Sequence, residues 1–254
     1  MQRYFIKSPY PSDDIFPLAD DNLHHMLKVM RMKEGDQAIL VFEDETAIIA
    51  QLKEIGQDMI LYEKIESLEK QVELPVAITI ASAFPKGDKA EWISQKATEL
   101  GAHSFVFFPS DWSVAKWDGK KLAKKEERLE KIAQEAAEQS HRTHLPSVRM
   151  FESFKLFLAE LADYQHILIA YEETAKAGDI SSLHQEFEKI LPGEKVIVIF
   201  GPEGGLAPSE VEAFQEVGGV SVGLGPRILR CETAPLYLLG ALSFYLELSG
   251  GGPG

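Results

Sequence analysis

The chain has one cysteine, Cys231, so no intramolecular disulfide can form. This excludes a small secreted scaffold stapled by disulfides and fits a reducing compartment. Metal-ligand spacing is missing as well. His24 and His25 are adjacent and do not share a helix face, so no metal is expected. Long hydrophobic runs are also scarce. The longest, near residues 234–246, is broken by Tyr237, Gly240, Ser243 and Tyr245. That is shorter than the roughly 20 apolar residues a bilayer span requires. The opening MQRYFIKSPYPSDDIF lacks a basic-then-apolar leader pattern. These absences predict a soluble, cytoplasmic protein with no membrane partner. Positive charge is in short supply: 26 Lys and Arg against 40 Asp and Glu leave a net charge of −14. Taken alone, that balance counts against a nucleic-acid partner, because affinity for phosphate comes largely from Lys and Arg. Local basic patches can nevertheless act within an acidic chain.

With 254 residues, 45% of them hydrophobic and 26% charged, the chain has the composition of a folded protein of one large or two modest domains. Residues 22–31 predict a helical turn or two. Residues 37–42, 47–52 and 59–62 read as short strands with the spacing of a small β-barrel. The charge-rich stretch 66–73, closed by Pro75, reads as a linker. Beyond it, strands at 76–81, 104–108, 166–171, 196–200 and 220–224 alternate with helical periodicity at Ala90, Ile93, Ala97 and Leu100, and at Leu129, Ile132, Ala133, Ala136 and Ala137. Strands alternating with helices predict a parallel α/β sheet. No internal repeat is evident, and the only low-complexity tract is the tail GGGPG at 250–254.

Two loops carry the functional signal. VIVIF (196–200) runs directly into GPEGG (201–205), and VSVGL (220–224) runs into GPRILRCETAPL (225–236). Ligands in open α/β sheets bind beyond the carboxyl ends of the strands. Glycine there permits positive φ and lets backbone amides approach a ligand closely. Either loop alone is equally consistent with a tight strand-to-helix turn. Two on successive strand ends predict the two walls of one small-molecule pocket. The dinucleotide fingerprint G-x-G-x-x-G near a first strand and the G-x-x-x-x-G-K-[ST] phosphate loop are both absent. Pro208 suits the first turn of the helix after GPEGG, with Ser209 and Glu212 as an alternative capping box. EAAEQSHRTH (135–144) reads as the polar end of an amphipathic helix, for which a solvated terminus is the plain explanation. Basic residues gather at Arg3, Lys7, Lys28, Arg31 and Lys33, and again between Lys116 and Lys131. Such runs are usually solvated faces, but here they also permit a polyanion partner.

HHMLKVMRMKEGD (24–36), KGDKAEWISQKATELGA (86–102), AAEQSHR (136–142), GPEGG and LGPRILRCETAPL occur in this order. The order resembles the 16S ribosomal RNA (uracil-N3)-methyltransferases of the knotted SPOUT class, with matches along nearly the whole chain. The resemblance implies an α/β fold: an N-terminal PUA-like β-barrel (1–70), a linker (71–75) and a SPOUT methyltransferase domain (76–250) with a C-terminal trefoil knot. It implies S-adenosyl-L-methionine as cofactor, held by Gly201, Pro202, Glu203, Gly204 and Gly205 on one wall. Leu224, Gly225, Pro226, Ile228 and Leu229 would form the other. It also implies a homodimer and a 16S rRNA substrate within the small ribosomal subunit. Arg230 is the leading catalytic candidate, as a cation for the anion developing on uracil, with Glu232, Glu138 and Arg142 behind it. Arg3, His25, Lys28, Arg31, Lys86 and Lys116 are expected to face RNA. The same loops would also serve an enzyme acting on another rRNA or tRNA site, or a non-catalytic cofactor-binding RNA module. Two positions depart from the family pattern. Asp111-Trp112 stands where relatives usually carry Glu-Arg. Ala207 stands where they carry a capping side chain, whose loss costs about 1 kcal/mol unless Ser209 takes over.

Overall fold

The computed structural model describes residues 1–11, 13–19, 22–69, 72–117, 119–171 and 182–249. The glycine-rich tail and Gln71 of the expected linker lie outside them. The chain divides into two compact units, Met1–Glu73 with Ala137–Leu145, and Leu74–Ala136 with Pro146–Gly254. The first unit thus takes back a short segment from far along the chain.

In the first unit β1 (Arg3–Ile6), β2 (Ile15–Leu18), β3 (Gln37–Phe42), β4 (Ala47–Ile55) and β5 (Ile60–Ser67) form one curled sheet. Its order is β1-β3-β4-β5-β2, a half-barrel whose outer strands β1 and β2 are not paired with each other. The expected helical turn appears as a short π-helical turn, His25–Val29. Phe16, Leu40, Phe42, Tyr62 and Met26 fill the curl, with Phe16 stacked on Tyr62. β5 continues into the stretch read as linker: Glu66 pairs with Ile49 and Ser67 with Ile48. Charged residues fit there because the sheet has a solvated face, so charge content alone does not end a strand.

An ion-pair cluster centred on Glu73 binds the returning segment. Glu73 Oε2 accepts from Arg142 Nε at 2.9 Å and Nη2 at 2.5 Å. Its Oε1 accepts from the N–H groups of Thr143 at 2.8 Å and His144 at 3.0 Å. Arg3 Nη1 donates to the Arg142 carbonyl at 2.6 Å. Both arginines are buried. This corrects two expectations: Arg3 is not an RNA-facing cation, and Arg142 is committed to a structural ion pair. Ala137 packs with Phe5, Ile39, Val41 and Ala47.

In the second unit β6 (Ala77–Ala83), β7 (Ser104–Phe108), β8 (Ser147–Met150), β9 (His166–Ala170), β10 (Lys195–Phe200) and β11 (Val220–Val222) form a sheet in the order β11-β9-β10-β6-β7-β8. Every pairing is parallel, so all carboxyl ends lie at one edge. Both faces are covered, and the side chains alternate accordingly. Val196, Val198 and Phe200 pack with Ile93 and Ala97 of α1 (Lys89–Glu99), Leu129 and Ala133 of α2 (Gly119–Gln139) and Leu238 of the last helix. Ile197 and Ile199 face Phe157 of α3 (Phe154–Glu160) and Phe214 on the other side. Among the described residues the unit also has α4 (Ser182–Phe187), α5 (Pro208–Glu216) and α6 (Ala234–Ser243), with short helical turns at Leu161–Asp163 and Phe244–Leu248. Gly101, at φ +93°, ends α1 as expected: Ala102 N–H returns to the Ala97 carbonyl at 2.9 Å, and Gly101 N–H to Thr98 at 3.1 Å.

Burial by itself would raise the Glu73 carboxyl, but Arg142 and the two backbone donors outweigh it and hold the group below its ordinary 4.5. A carboxyl depressed on folding stabilises fully above its unfolded value and loses that contribution as pH falls through the lower folded value. Glu73→Gln would remove the counter-charge that Glu73 gives the buried Arg142 and should cost about 3 kcal/mol in urea unfolding at neutral pH. The gap between wild type and variant should narrow progressively below pH 4.5.

Candidate functional site

At the carboxyl edge of the second sheet the ends of β9, β10 and β11 open into a cavity of about 750 Å³, within the range of small-molecule sites. All ten residues assigned from sequence to the two cofactor walls line it, and Arg230 lines it with them. The first wall folds tightly. Gly205 N–H bonds the Pro202 carbonyl at 2.9 Å, and Gly205 takes φ +80°. A Cβ on Gly201 would lie 2.7 Å from the carbonyl carbon of Gly205 and 2.8 Å from Leu206 N. Backbone cannot retreat from such a contact, so glycine is the residue that lets this loop close. On the second wall Gly225 takes φ +84°. Gly223 N–H is anchored on Ser182 Oγ at 3.3 Å, and Thr233 and Ala234 N–H return to the Arg230 carbonyl.

α5 begins at Pro208 with Ala207 as its N-cap. An alanine side chain accepts no hydrogen bond, so half of a capping box is impossible. The other half is present: Glu210 Oε2 accepts from Ala207 N–H at 2.8 Å. The same buried carboxylate accepts from Ser110 Oγ at 3.0 Å and from Asp111 N–H at 3.0 Å. Glu210 thus supplies the reciprocal half of the box, from its carboxylate to the N-cap N–H.

Lys89, at the start of α1, joins the two walls. Its ammonium lies 2.9 Å from Glu203 Oε1 and 3.1 Å from Glu232 Oε2. The Glu203 hydrogen bond, ahead of the opposing effect of burial, raises the Lys89 pKa further above its ordinary value. Burial would raise both carboxyls, but their bonds to Lys89 and to backbone amides leave both below their ordinary value. Cys231 lines the cavity, and its thiol donates to Glu232 at 3.3 Å. Burial, then Glu232, pushes its pKa up to about 12, which makes it a wall residue and a poor nucleophile.

Of the four catalytic candidates, Arg230 alone lines this cavity, and it is solvent-exposed with no carboxylate paired to it among the described residues. Glu232 is held by Lys89 and lines an adjoining cleft. Glu138 and Arg142 belong to the first unit. His25, Lys28, Arg31, Lys86 and Lys116 are exposed. Sequence reasoning did not assign Lys89, Trp112 or Tyr171 to the cavity, which they also line; Trp112 was noted only as a departure from the family pattern. Lys89 sits inside the KGDKAEW block, but nothing in its spacing announces two carboxylates more than a hundred residues away.

Lys89→Met should weaken cofactor binding about fivefold, the worth of a partly exposed ion-pair network. Titration calorimetry reads this directly, and urea unfolding should show that the fold is retained.

Residues 72–243 match the family described as RNA methyltransferase domain, and residues 18–59 match the RNA methyltransferase PUA domain. The chain is 46% identical to ribosomal RNA small subunit methyltransferase E of Bacillus subtilis over 98% of both chains. It is 30% identical to the protein of the same name from Synechocystis sp., over 91% of this chain and 73% of that one. Among solved structures, ribosomal RNA small subunit methyltransferase E from Neisseria gonorrhoeae bound to S-adenosyl methionine superposes with a TM-score of 0.79. The identity is 26%, over 96% of this chain and 97% of that one. A putative methyltransferase from Legionella pneumophila in complex with the same cofactor reaches 0.75 at 27% identity, over 95% and 96% of the two chains. The chain belongs to the RNA methyltransferase family that includes the ribosomal small-subunit methyltransferase E proteins.

Proposed function

We propose that the protein methylates N3 of a uridine in the decoding region of 16S rRNA, using S-adenosyl-L-methionine, as a cytoplasmic homodimer acting on the small ribosomal subunit. The observation that carries this reading is a cavity closed by two glycine loops at the carboxyl edge of a parallel sheet, with the exposed arginines Arg227 and Arg230 on its wall. The tight backbone at Gly201 and the positive φ at Gly205 and Gly225 suit close approach of a flat heterocycle to main-chain groups. When bound, the cofactor supplies an electrophilic methyl group on a sulfonium.

The residues of this chain bind, orient and stabilise. The walls hold the donor, and Lys89 fixes one wall against the other. Uracil N3 carries a proton and is a poor nucleophile until that proton leaves, so negative charge develops on O2 and O4. Arg227 and Arg230 are both exposed on the cavity wall; we assign Arg230 to receive that charge, because Glu203 and Glu232 are both held by Lys89 and neither is paired with it. His25, Lys28, Arg31, Lys86 and Lys116 contact phosphate, which reconciles RNA binding with a net charge of −14. Exposed Ile228, Tyr237, Phe244 and Leu248 on and beside the last helix supply the apolar surface for a second copy.

Small subunits lacking the modification, incubated with protein and labelled S-adenosylmethionine, should yield N3-methyluridine in digested RNA read by mass spectrometry. No methylated uridine, with cofactor binding intact, would refute the reading. Arg230→Ala should lower turnover by roughly 10²–10³-fold while cofactor affinity stays within about twofold; normal turnover would remove Arg230 from the mechanism. RNA affinity should fall steeply with salt, and Lys28→Ala or Arg31→Ala should each reduce the slope of log K against log salt by about 1. A flat salt dependence would count against this surface.

A further inference from the structure

Trp112 follows β7 in a loop that is fixed from below. Ser110 Oγ and Asp111 N–H both donate to Glu210 at 3.0 Å, and Ser113 N–H returns to the Ser110 carbonyl at 3.0 Å. The side chain lies along the first cofactor wall. A Cβ on Gly204 would come within 3.3 Å of the Trp112 Cβ, and one on Gly205 within 4.0 Å of its Cζ3. Trp112 therefore lines the cavity, yet it is 49% exposed.

The other two indoles already have partners. Trp117 packs on Phe84 with ring centroids 4.5 Å apart, and Lys125 sits 4.4 Å from its centroid. Trp92 carries Lys96 at 5.7 Å. Among the described residues no ring or cation is paired with Trp112. A rigidly mounted, half-exposed aromatic face at a ligand cavity is the arrangement that receives an unstacked nucleobase. The cofactor's place lies between the two glycine loops, whereas the outer half of the indole meets what arrives from solvent.

We propose that Trp112 is the stacking surface for the pyrimidine that enters this cavity from RNA, and so a positioning residue for the acceptor base. This rests on the methyl-transfer reading above. Nothing in the chemistry of transfer requires the indole itself, so it acts by holding the ring plane.

The test compares Trp112→Ala, Trp112→Leu and Trp112→Phe. In Trp112→Ala, KM for unmodified small subunits should rise about tenfold, the scale of one lost base–aromatic stack. The affinity for S-adenosylhomocysteine should stay within about twofold. Trp112→Phe should recover to within about threefold of wild type. Trp112→Leu, which keeps apolar bulk but no π-face, should not. Adding a short oligouridylate to the S-adenosylhomocysteine complex should quench tryptophan emission in wild type and not in Trp112→Phe, which retains Trp92 and Trp117. Unchanged KM in the alanine and leucine variants would overturn the proposal. So would weakened cofactor binding with unchanged KM, which would assign the indole to the cofactor wall. Absence of methylated uridine with wild type, alongside an oligouridylate quench that disappears in Trp112→Phe, would refute the reaction and leave the stacking surface standing.

Discussion

One carboxylate determines the geometry on which the site depends. Glu210 is buried, and its two oxygens accept from Ala207 N–H, Ser110 Oγ and Asp111 N–H. The first of these donors ends the GPEGG wall and the other two lie on the loop that presents Trp112. A buried carboxylate is tolerated only where its lone pairs are satisfied, and satisfying them fixes the donors in place. The N-terminus of α5 contributes as well, because negative charge is favoured at that end of a helix. With Ala207 at the N-cap, this carboxylate is what ties the end of the wall to the helix.

A second electrostatic device acts on the opposite side of the same loop. Glu203 and Glu232 come from the two different glycine loops and, brought to one place, would repel each other. Lys89 lies between them, at hydrogen-bond distance from both. The ion pairs are partly exposed, so their worth lies less in stability than in fixing the spacing of two loops that have no regular secondary structure. They also leave Arg230 without a competing carboxylate among the described residues, as the role proposed for it, receiving charge only during reaction, requires.

The sequence was most legible where a residue type leaves few alternatives. Apolar runs such as VIVIF identified the parallel strands, and the two glycine loops identified the walls, because only glycine accepts the close backbone contact at Gly201 and the positive φ at Gly205 and Gly225. Local charge was a poorer guide. Glu66 and Ser67 read as linker but continue β5, since an antiparallel strand with one solvated face accepts charge. The end of α2 read as a possible catalytic element, but the segment that follows it is bound into the first unit by an ion pair spanning 69 positions. Pairings over such distances leave no periodicity to detect.

Arginine illustrates the same limit from the chemical side. Arg3, Arg142 and Arg230 look alike in a sequence, and each was a candidate for contact with RNA or with reacting atoms. Burial separates them. Arg142 is almost fully covered and donates through Nε and Nη2 to one Glu73 oxygen, and Arg3 donates through Nη1 to its carbonyl, so both are used in holding a returning segment. Arg230 is exposed on the cavity wall. A guanidinium already paired in the folded state gains little from an arriving anion, because the exchange replaces one charged partner with another. An unpaired one exchanges only water, and in a partly enclosed cavity that exchange is more favourable than in open solvent. The pairing state of each arginine, more than its presence, decides whether it supports the fold or the chemistry.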